Sequence, residues 1–173
     1  MLQVTIRDEL LEDIPAIYDL TKRAFAPMPF AGGNEQDLIN TVRDAGVLSI
    51  SLVAEIDSRV VGHVAFTPAM AADNSPGWFG LGPVAVEPAL QRKGIGQQLI
   101  NEGLRRLREW NAAGCIVVGD PNYYQRFGFG LSPALTPAGQ PPEYFMMLSL
   151  TASQPNVVVD FHPLFSEGEE QQQ

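Results

Sequence analysis

The hydrophobic residues in the first part of the chain follow two spacings, first one that is typical of a strand and then one that is typical of helices. Apolar and polar residues alternate from Leu2 to Ile6, which predicts a half-buried strand. Over residues 10–25 the apolar residues recur at helical spacing, with Pro15 in the first turn, where proline is well tolerated. Asn34 is a suitable cap for a second helix that ends near Ala45. A loop rich in proline and glycine, residues 26–33, separates the two predicted helices.

The middle of the chain predicts a hairpin, a third strand and a long helix. β-rich runs over 48–56 and 59–67 are joined by Asp57-Ser58, which is typical of a tight hairpin. After a loop over 69–77, a strand over 78–86 is interrupted by Gly80, Gly82 and Pro83, which weaken ladder pairing. Residues 93–110 then predict an amphipathic helix. Its apolar stripe consists of Ile95, Leu99, Ile100, Leu104, Leu107 and Trp110.

The C-terminal part adds short strands around one short helix. An apolar run over 115–118 predicts a strand covered on both faces, and its helical connection from 78–86 predicts a parallel, right-handed βαβ unit. A short helix starts at Pro121 and ends at Gly128. Strands follow over 144–150 and, at the sheet edge, over 157–161. We expect a single domain over residues 1–165 and a disordered acidic tail over 166–173.

Composition narrows the class of protein. The chain has 173 residues, 45% of them hydrophobic, which is enough for one core. No apolar run approaches the roughly 18 residues of a membrane helix, and the acidic start is unlike a signal peptide, so we expect a cytoplasmic protein. A net charge of −9 argues against nucleic acid as a partner, although solubility alone also accounts for an acidic surface. One cysteine and two distant histidines indicate neither a disulfide framework nor a metal site.

The most informative motif links the strand over 78–86 to the long helix. It reads Gln91-Arg92-Lys93-Gly94-Ile95-Gly96. Glycines at a helix start leave the backbone open, and amides there attract anions through the helix dipole, so this segment predicts a phosphate cradle. It resembles the Q/R-x-x-G-x-G/A signature of the GCN5-related N-acetyltransferase (GNAT) family. In that family the loop holds the diphosphate of acetyl-coenzyme A (acetyl-CoA).

A second motif strengthens the resemblance. Residues 122–129, Asn-Tyr-Tyr-Gln-Arg-Phe-Gly-Phe, resemble the family's aromatic-Tyr-x-[Lys/Arg]-x-Gly-Phe element. Together with Gly119-Asp120-Pro121 and residues 81–86, they are similar to the YhbS-type members. The resemblance covers about residues 2–150. It implies an α/β (α+β) fold with a mixed, mostly antiparallel central sheet, helices on both faces and a central βαβ unit.

The resemblance also implies a reaction and a cofactor site. The reaction is transfer of an acetyl group from acetyl-CoA to a primary amine of a small molecule or peptide, by direct attack in a ternary complex. The strand end would hold the pantetheine arm and stabilise the developing oxyanion, and Tyr124 would protonate the departing thiolate, since phenol and thiol pKa values are close. The implied cofactor residues are Val84, Ala85, Val86, Gln91, Arg92, Lys93, Gly94, Ile95, Gly96 and Tyr124.

The general base is the least constrained assignment. His63 is the first candidate, because strand alternation puts it on the face opposite Val64 and Phe66 and its pKa suits neutral pH, although a strand histidine is more often structural. Glu55 and Asp120 are weaker candidates. Glu87, just before Pro88, is better explained by turn formation. Cys115 has apolar neighbours, so we expect a buried, unreactive thiol.

The sequence is compatible with other functions. A dinucleotide loop fits poorly, because Leu99 stands where that motif needs its third glycine, and the lysine and hydroxyl residue of a Walker loop are missing. A non-catalytic acyl-CoA sensor on the same fold is an alternative. The loops over 26–33, 69–77 and 133–143 would select the acceptor. A final strand around Val157 would offer an edge for a homodimer.

Overall fold

The computed structural model describes residues 3–28 and 31–165, which form two compact units. The first unit comprises Met1–Phe66, Gly82–Leu104 and Pro163–Gln173, and the second comprises Thr67–Leu81 and Arg105–His162, so far as their residues are described. The single domain over 1–165 therefore stays a prediction. The predicted disordered tail over 166–173 lies outside the described residues.

Thirteen helices and strands carry the described fold. In chain order they are β1 Thr5–Asp8, α1 Ile14–Phe25, α2 Glu35–Asp44, β2 Ile50–Ile56, β3 Arg59–Pro68, β4 Met70–Ala71, β5 Trp78–Val86, α3 Ile95–Glu109, β6 Gly114–Val118, α4 Pro121–Tyr124, β7 Gly130–Leu131, β8 Phe145–Ser149 and β9 Val159–Asp160. The strands are ordered β1-β2-β3-β5-β6-β8-β7 in a seven-stranded sheet, with β4 and β9 as a separate pair. The sheet is mixed and mostly antiparallel, which confirms the expected fold class.

The β2–β3 hairpin organises the first unit. Asp57 and Ser58 have φ angles of 49° and 64°, the left-handed pair that a tight two-residue hairpin turn requires. The strands pair from Ile56↔Arg59 to Ile50↔Phe66, with a register shift between Ala54 and Glu55. The predicted hairpin is thus confirmed; β2 starts two residues later than predicted, and β3 ends one residue later.

Helices cover both faces of this hairpin. On one face, a Cβ placed on Gly62 would lie 3.0 Å from the side chains of Ile95 and Leu99 in α3, so the helix approaches closely. On the other face, Val53 packs with Ile17 of α1 and Ile39 of α2. Alternation along each strand assigns its successive side chains to these two layers.

The first helix begins later than predicted. Residues Leu11–Asp13 form a 3₁₀ turn, and α1 starts at Ile14. The Leu10 N–H donates to Asp13 Oδ2 at 2.6 Å, so the Asp13 carboxylate satisfies an amide of the turn. Leu11 is 85% exposed and does not belong to the buried face that its spacing predicted. Asn34 occupies the cap position of α2, but its side chain makes no capping bond.

The second unit contains the parallel strand pair. β5 pairs with β6 in parallel from Trp78↔Gly114 to Gly80↔Ile116, which confirms the predicted parallel arrangement. β6 pairs antiparallel with β8, from Gly114↔Ser149 to Val118↔Phe145. The buried members of the core here are Ala69, Ala71, Trp78, Ile116, Phe145, Met147 and Val159.

Two predictions in this region are wrong in detail. α3 spans Ile95–Glu109, and Trp110 lies beyond its end, 51% exposed, with its ring centroid 5.9 Å from that of Phe79. The final strand pairs with β4 and does not extend the main sheet. The reason is the packing of Phe161, whose ring lies 2.8 Å from where a Gly80 Cβ would stand, so this segment is held against β5. Val157 packs against the same core.

No helix within residues 3–28 and 31–165 has both the length and the apolar surface that a membrane span needs.

Candidate active site

The loop between β5 and α3 is an exposed turn with two left-handed residues. Gln91, Arg92, Lys93 and Gly94 are all exposed, and the φ angles of Arg92 and Gly94 are 65° and 86°. A Cβ on Gly94 would meet no atom within 4 Å, so glycine is favoured here by the backbone conformation and leaves open space in front of the turn. Ile95, which follows, is 1% exposed and anchors the start of α3 in the core.

The start of α3 suits a bound anion. The Gln98 N–H donates to the Gly94 carbonyl at 3.1 Å, which closes the first turn of the helix. Amides that precede this bond lie at the positive end of the helix dipole. The first turn contains no acidic residue, and Arg92 and Lys93 add positive charge just before it.

Gln91 ties this loop to the end of β5. Its Nε2 donates to the Val86 carbonyl at 3.2 Å, so the fixed position of glutamine in the motif has a structural basis. The Ala85 side chain is 1% exposed and packs with Leu20 and Ala24 of α1, whereas Val84 and Val86 are half-buried. The pairing of β5 with β6 ends at Gly80, before Gly82 and Pro83 interrupt the strand.

Tyr124 belongs to the second unit and ends the short helix α4. The helix is capped by Asp120, whose carboxylate accepts the Asn122 N–H at 2.9 Å. The Tyr124 ring lies edge-on to Tyr123 at 5.0 Å and to Phe129 at 6.0 Å. Burial raises the pKa of Tyr124, so its phenol keeps its proton at neutral pH. Gly128, with a φ of 100°, ends the segment as predicted.

His63 is completely buried, at 0% exposure, on the hairpin face that packs on α1 and α2. Its Nε2 lies 2.8 Å from Ser51 Oγ, and Ser51 Oγ donates to Glu9 Oε1 at 2.5 Å. Because the one hydroxyl proton of Ser51 goes to a carboxylate, which only accepts, Nε2 must carry the proton of the neutral ring. Nδ1 is then a buried acceptor with no partner among the described residues.

Burial holds this histidine neutral, against the attraction of two nearby carboxylates. Desolvation lowers the pKa of His63 to about 4, and Arg43 acts in the same direction, while Glu9 and Asp13 oppose the shift. Glu9 makes a bidentate pair with Arg43, both contacts being 2.7 Å. Burial raises the pKa of Glu9, but hydrogen bonds from Arg43 and Ser51 outweigh it and hold this pKa below its ordinary value.

The weaker base candidates have partners of their own. Glu55 accepts from Arg7 at 2.8 Å, and the same guanidinium forms two bonds to Asp13. The hydrogen bonds from Arg7 hold the pKa of Asp13 below its ordinary value. Glu87 forms an ion pair with Arg23 at 2.7 Å, which gives Glu87 a structural role. Asp120 is the N-cap of α4.

Sequence reasoning missed the Glu9–Ser51–Arg43 cluster. Ser51 and Val53 are two positions apart on β2, and Val53 pairs with His63, so hairpin register alone would have placed Ser51 diagonally from the histidine. Glu9 and Arg43 carry no such signal, because they come from distant parts of the chain.

A cavity of about 210 Å³ opens beside the 26–33 loop in the first unit. It is lined by Lys22, Phe25, Ala26, Met28, Ala31, Gly33, Glu35 and Gln36. One oxygen of Glu35 accepts the Gly32 N–H at 2.8 Å, and the other is buried and has no hydrogen-bond partner in the part of the chain that the structure describes. Within the described residues, no group of three or more histidine, cysteine or acidic side chains is placed to hold a metal ion. Cys115 is buried, and burial raises its pKa, as expected of an unreactive thiol.

Known proteins resemble this chain over most of its length. The family model described as "Acetyltransferase (GNAT) family" matches residues 14–129. The uncharacterized N-acetyltransferase YhbS of Escherichia coli K12 is 37% identical over 128 residues, which are 73% of this chain and 74% of that protein.

Two solved structures extend the similarity to the fold. A GNAT family acetyltransferase from Brucella melitensis, in complex with acetyl-CoA, is 39% identical with a TM-score of 0.83, covering 95% of this chain and 99% of that one. Escherichia coli YhbS in complex with CoA is 31% identical with a TM-score of 0.86, covering 96% and 93%. The signature loop, the strand order and these matches agree, and the chain belongs to the GNAT family of acetyltransferases.

Proposed function

We propose that this protein transfers an acetyl group from acetyl-CoA to a primary amine while both are bound. The observation that carries the proposal is the exposed turn through Arg92 and Gly94 at the start of α3, inside the segment that the family model matches. Relatives that share 31–39% of their residues with this chain have been solved with CoA or acetyl-CoA, which supports the same cofactor here.

The residues of the turn suit the diphosphate of CoA. Open space in front of Gly94 and the dipole of α3 favour two negative phosphates, and Arg92 and Lys93 neutralise part of their charge. Gln91 holds the loop against the end of β5 through the Val86 carbonyl. Acetyl-CoA supplies the acetyl group activated as a thioester. The backbone of Val84–Val86, anchored by the buried Ala85 side chain, would hold the pantetheine arm.

Tyr124 would act as the general acid. The phenol is protonated at neutral pH, as an ordinary tyrosine is, and has a proton to give to the departing thiolate; burial raises its pKa further above that of a thiol and so works against the transfer. Tyr124→Phe should therefore lower kcat by about 100-fold and leave acetyl-CoA binding within about threefold of the native protein. The assay follows release of free thiol with a panel of primary amines, with calorimetric titration as the binding measurement.

The outcomes of this experiment separate enzyme from sensor. Turnover that falls while binding persists supports the assigned role. Turnover that does not change removes Tyr124 from the mechanism. Binding without turnover of any amine by the native protein would contradict the enzyme and favour the acyl-CoA sensor.

His63 remains the candidate base, but it cannot touch the amine directly while it is fully buried. A proton could reach it only through an intervening group, as in general-base catalysis through water. His63→Gln, which keeps a donor near Ser51, should shift the acidic limb of the pH profile of kcat if the histidine takes part. An unchanged profile would leave it a structural residue.

The acceptor is proposed to bind in the cavity beside the 26–33 loop. Phe25 and Met28 offer apolar surface, and Glu35 offers a carboxylate that complements an ammonium group. Glu35→Gln should raise KM for a cationic amine without changing the Kd of acetyl-CoA. An equal effect on both ligands, or on neither, would place the acceptor elsewhere.

Location and partners complete the proposal. A single free, buried cysteine and a net charge of −9 support a cytoplasmic protein that does not bind nucleic acid. A homodimer stays a prediction, and the strand expected to form its edge is paired with β4. Sedimentation at several concentrations would decide the oligomeric state.

A further inference from the structure

Gly119 and Tyr124 approach each other more closely than any other residue type at position 119 would allow. A Cβ built on Gly119 would stand 2.5 Å from Cε2, 3.1 Å from Cδ2 and 3.5 Å from Cζ of the Tyr124 ring. Real Cβ atoms essentially never come within 3.0 Å of a heavy atom outside their own residue and its two chain neighbours. The space that Gly119 leaves empty is therefore the space in which the Tyr124 ring lies.

The backbone on both sides of this contact is fixed. The Gly119 N–H donates to the Tyr144 carbonyl at 3.1 Å, where β6 has just ended beside β8. The Tyr124 N–H donates to the Asp120 carbonyl at 3.0 Å, and the Asp120 carboxylate caps the same short helix. Neither backbone segment can move away to accept a side chain at position 119 without breaking one of these bonds.

The aromatic ring is equally confined. Tyr123 lies edge-on to Tyr124 at 5.0 Å, and Phe129, which is buried, lies edge-on from another direction at 6.0 Å. Phe127, also buried, is 6.2 Å away. A methyl group at Gly119 would therefore push the whole ring, and with it the hydroxyl on Cζ, because close-packed neighbours do not yield easily.

We propose that Gly119 is a positioning residue, which sets the place of the Tyr124 hydroxyl by having no side chain. This inference rests on the proposed role of Tyr124 as the general acid. The φ angle of Gly119 lies outside the left-handed region, so alanine is compatible with its backbone. The substitution therefore acts only through the space that the new methyl group occupies.

The test compares Gly119→Ala with Gly130→Ala. Gly130 lies in β7, where a new Cβ would meet no atom within 4 Å, so it is the matched control. A displacement of about 1 Å at a catalytic group can cost about 100-fold in rate. Gly119→Ala should lower kcat by about 10- to 100-fold, with the Kd of acetyl-CoA within about threefold of the native value. Gly130→Ala should leave both unchanged.

A double-mutant cycle with Tyr124→Phe shows whether Gly119 acts through the tyrosine. If it does, adding Gly119→Ala to Tyr124→Phe costs no further activity, because the group it positions is already gone. A further loss of the same size as in the native background overturns the proposal. If Tyr124→Phe is slow and Gly119→Ala is fully active, Gly119 is not a positioning residue but the role of Tyr124 survives. If Tyr124→Phe is itself fully active, both claims fail.

A stability measurement covers the case in which Gly119→Ala does not fold. Tyr124→Val removes the ring, so Gly119→Ala added to it should fold with the free energy of unfolding of Tyr124→Val alone. A double variant that stays unfolded would show that position 119 conflicts with something other than Tyr124, and would overturn the inference.

Discussion

The buried histidine gives the most quantitative prediction of this structure. His63 lies at 0% exposure with a pKa of about 4, against an ordinary value of 6.5. Between these two values the unfolded chain binds a proton that the folded chain does not. Folding stability contributed by His63 is therefore complete above about pH 6.5 and is lost as the pH falls toward 4.

The size of the effect follows from the two pKa values. One unit of pKa difference corresponds to about 1.4 kcal/mol, so the whole shift is worth about 3 kcal/mol. When the pH is lowered from 7 to 5, about 2 kcal/mol of this contribution to the free energy of unfolding is lost. Glu9 and Asp13, whose pKa values are lowered, lose their own stabilising contributions as the pH falls from their ordinary values of 4.5 and 3.8 through the lowered ones, below this interval.

The assay is urea unfolding of the native protein and of His63→Gln at both pH values. Glutamine can donate to Ser51 in place of Nε2 but does not titrate, so the variant should lose about 2 kcal/mol less than the native protein between pH 7 and pH 5. The slope of unfolding with urea should be the same in both proteins. NMR titration of the imidazole resonances gives the folded pKa without any variant.

Equal losses in the two proteins would refute this reasoning. They would mean that His63 binds protons equally in the folded and unfolded states. A His63 imidazole that titrates near 6.5 in the folded protein, with its resonance distinguished from that of His162, would refute it equally.

Two further predictions concern packing and ion pairing. A Cβ on Gly103 would stand 2.1 Å from the Phe66 ring. Gly103→Ala should therefore lower the free energy of unfolding, measured in urea, by about 1–3 kcal/mol. An unchanged midpoint of urea unfolding would contradict the close packing of α3 on β3. Arg7→Leu should cost about 3 kcal/mol, because Asp13, at 6% exposure, loses its partner. Adding Asp13→Asn should recover part of that loss, whereas full additivity of the two changes would show that they do not interact.

Local patterns predicted most of the elements. The strand over 78–86, the hairpin turn at Asp57-Ser58 and the stop at Gly128 follow from residues adjacent in sequence, and each is where it was expected. The helix itself is shorter than predicted, because α4 ends at Tyr124 and a 3₁₀ turn over Gln125–Phe127 leads to Gly128. The turn at Gly94, which is proposed to bind phosphate, could also be predicted, because glycine at this position serves a backbone conformation that few other residues adopt.

Contacts between distant segments could not be read in this way. The pair β4–β9 has only two residues in each strand, which is too few for a pattern, and it joins segments far apart in the chain. The burial of His63 depends on α1, α2 and the Glu9–Arg43 pair, none of which its own strand reveals. The close contact between Gly119 and Tyr124 likewise depends on how the folded chain packs and not on the spacing of residues along the sequence.

The central claim is that the turn at the start of α3 binds acetyl-CoA. Calorimetric titration with acetyl-CoA, beside NAD and ATP, tests it most directly, with Gly94→Val as the matched variant because a branched residue is strained at a φ of 86° while the space around it is open. Acetyl-CoA alone should show saturable one-site binding, weakened by about tenfold or more in the variant. Folded native protein that gives no binding signal, or a variant that binds as well as the native protein, would contradict the claim.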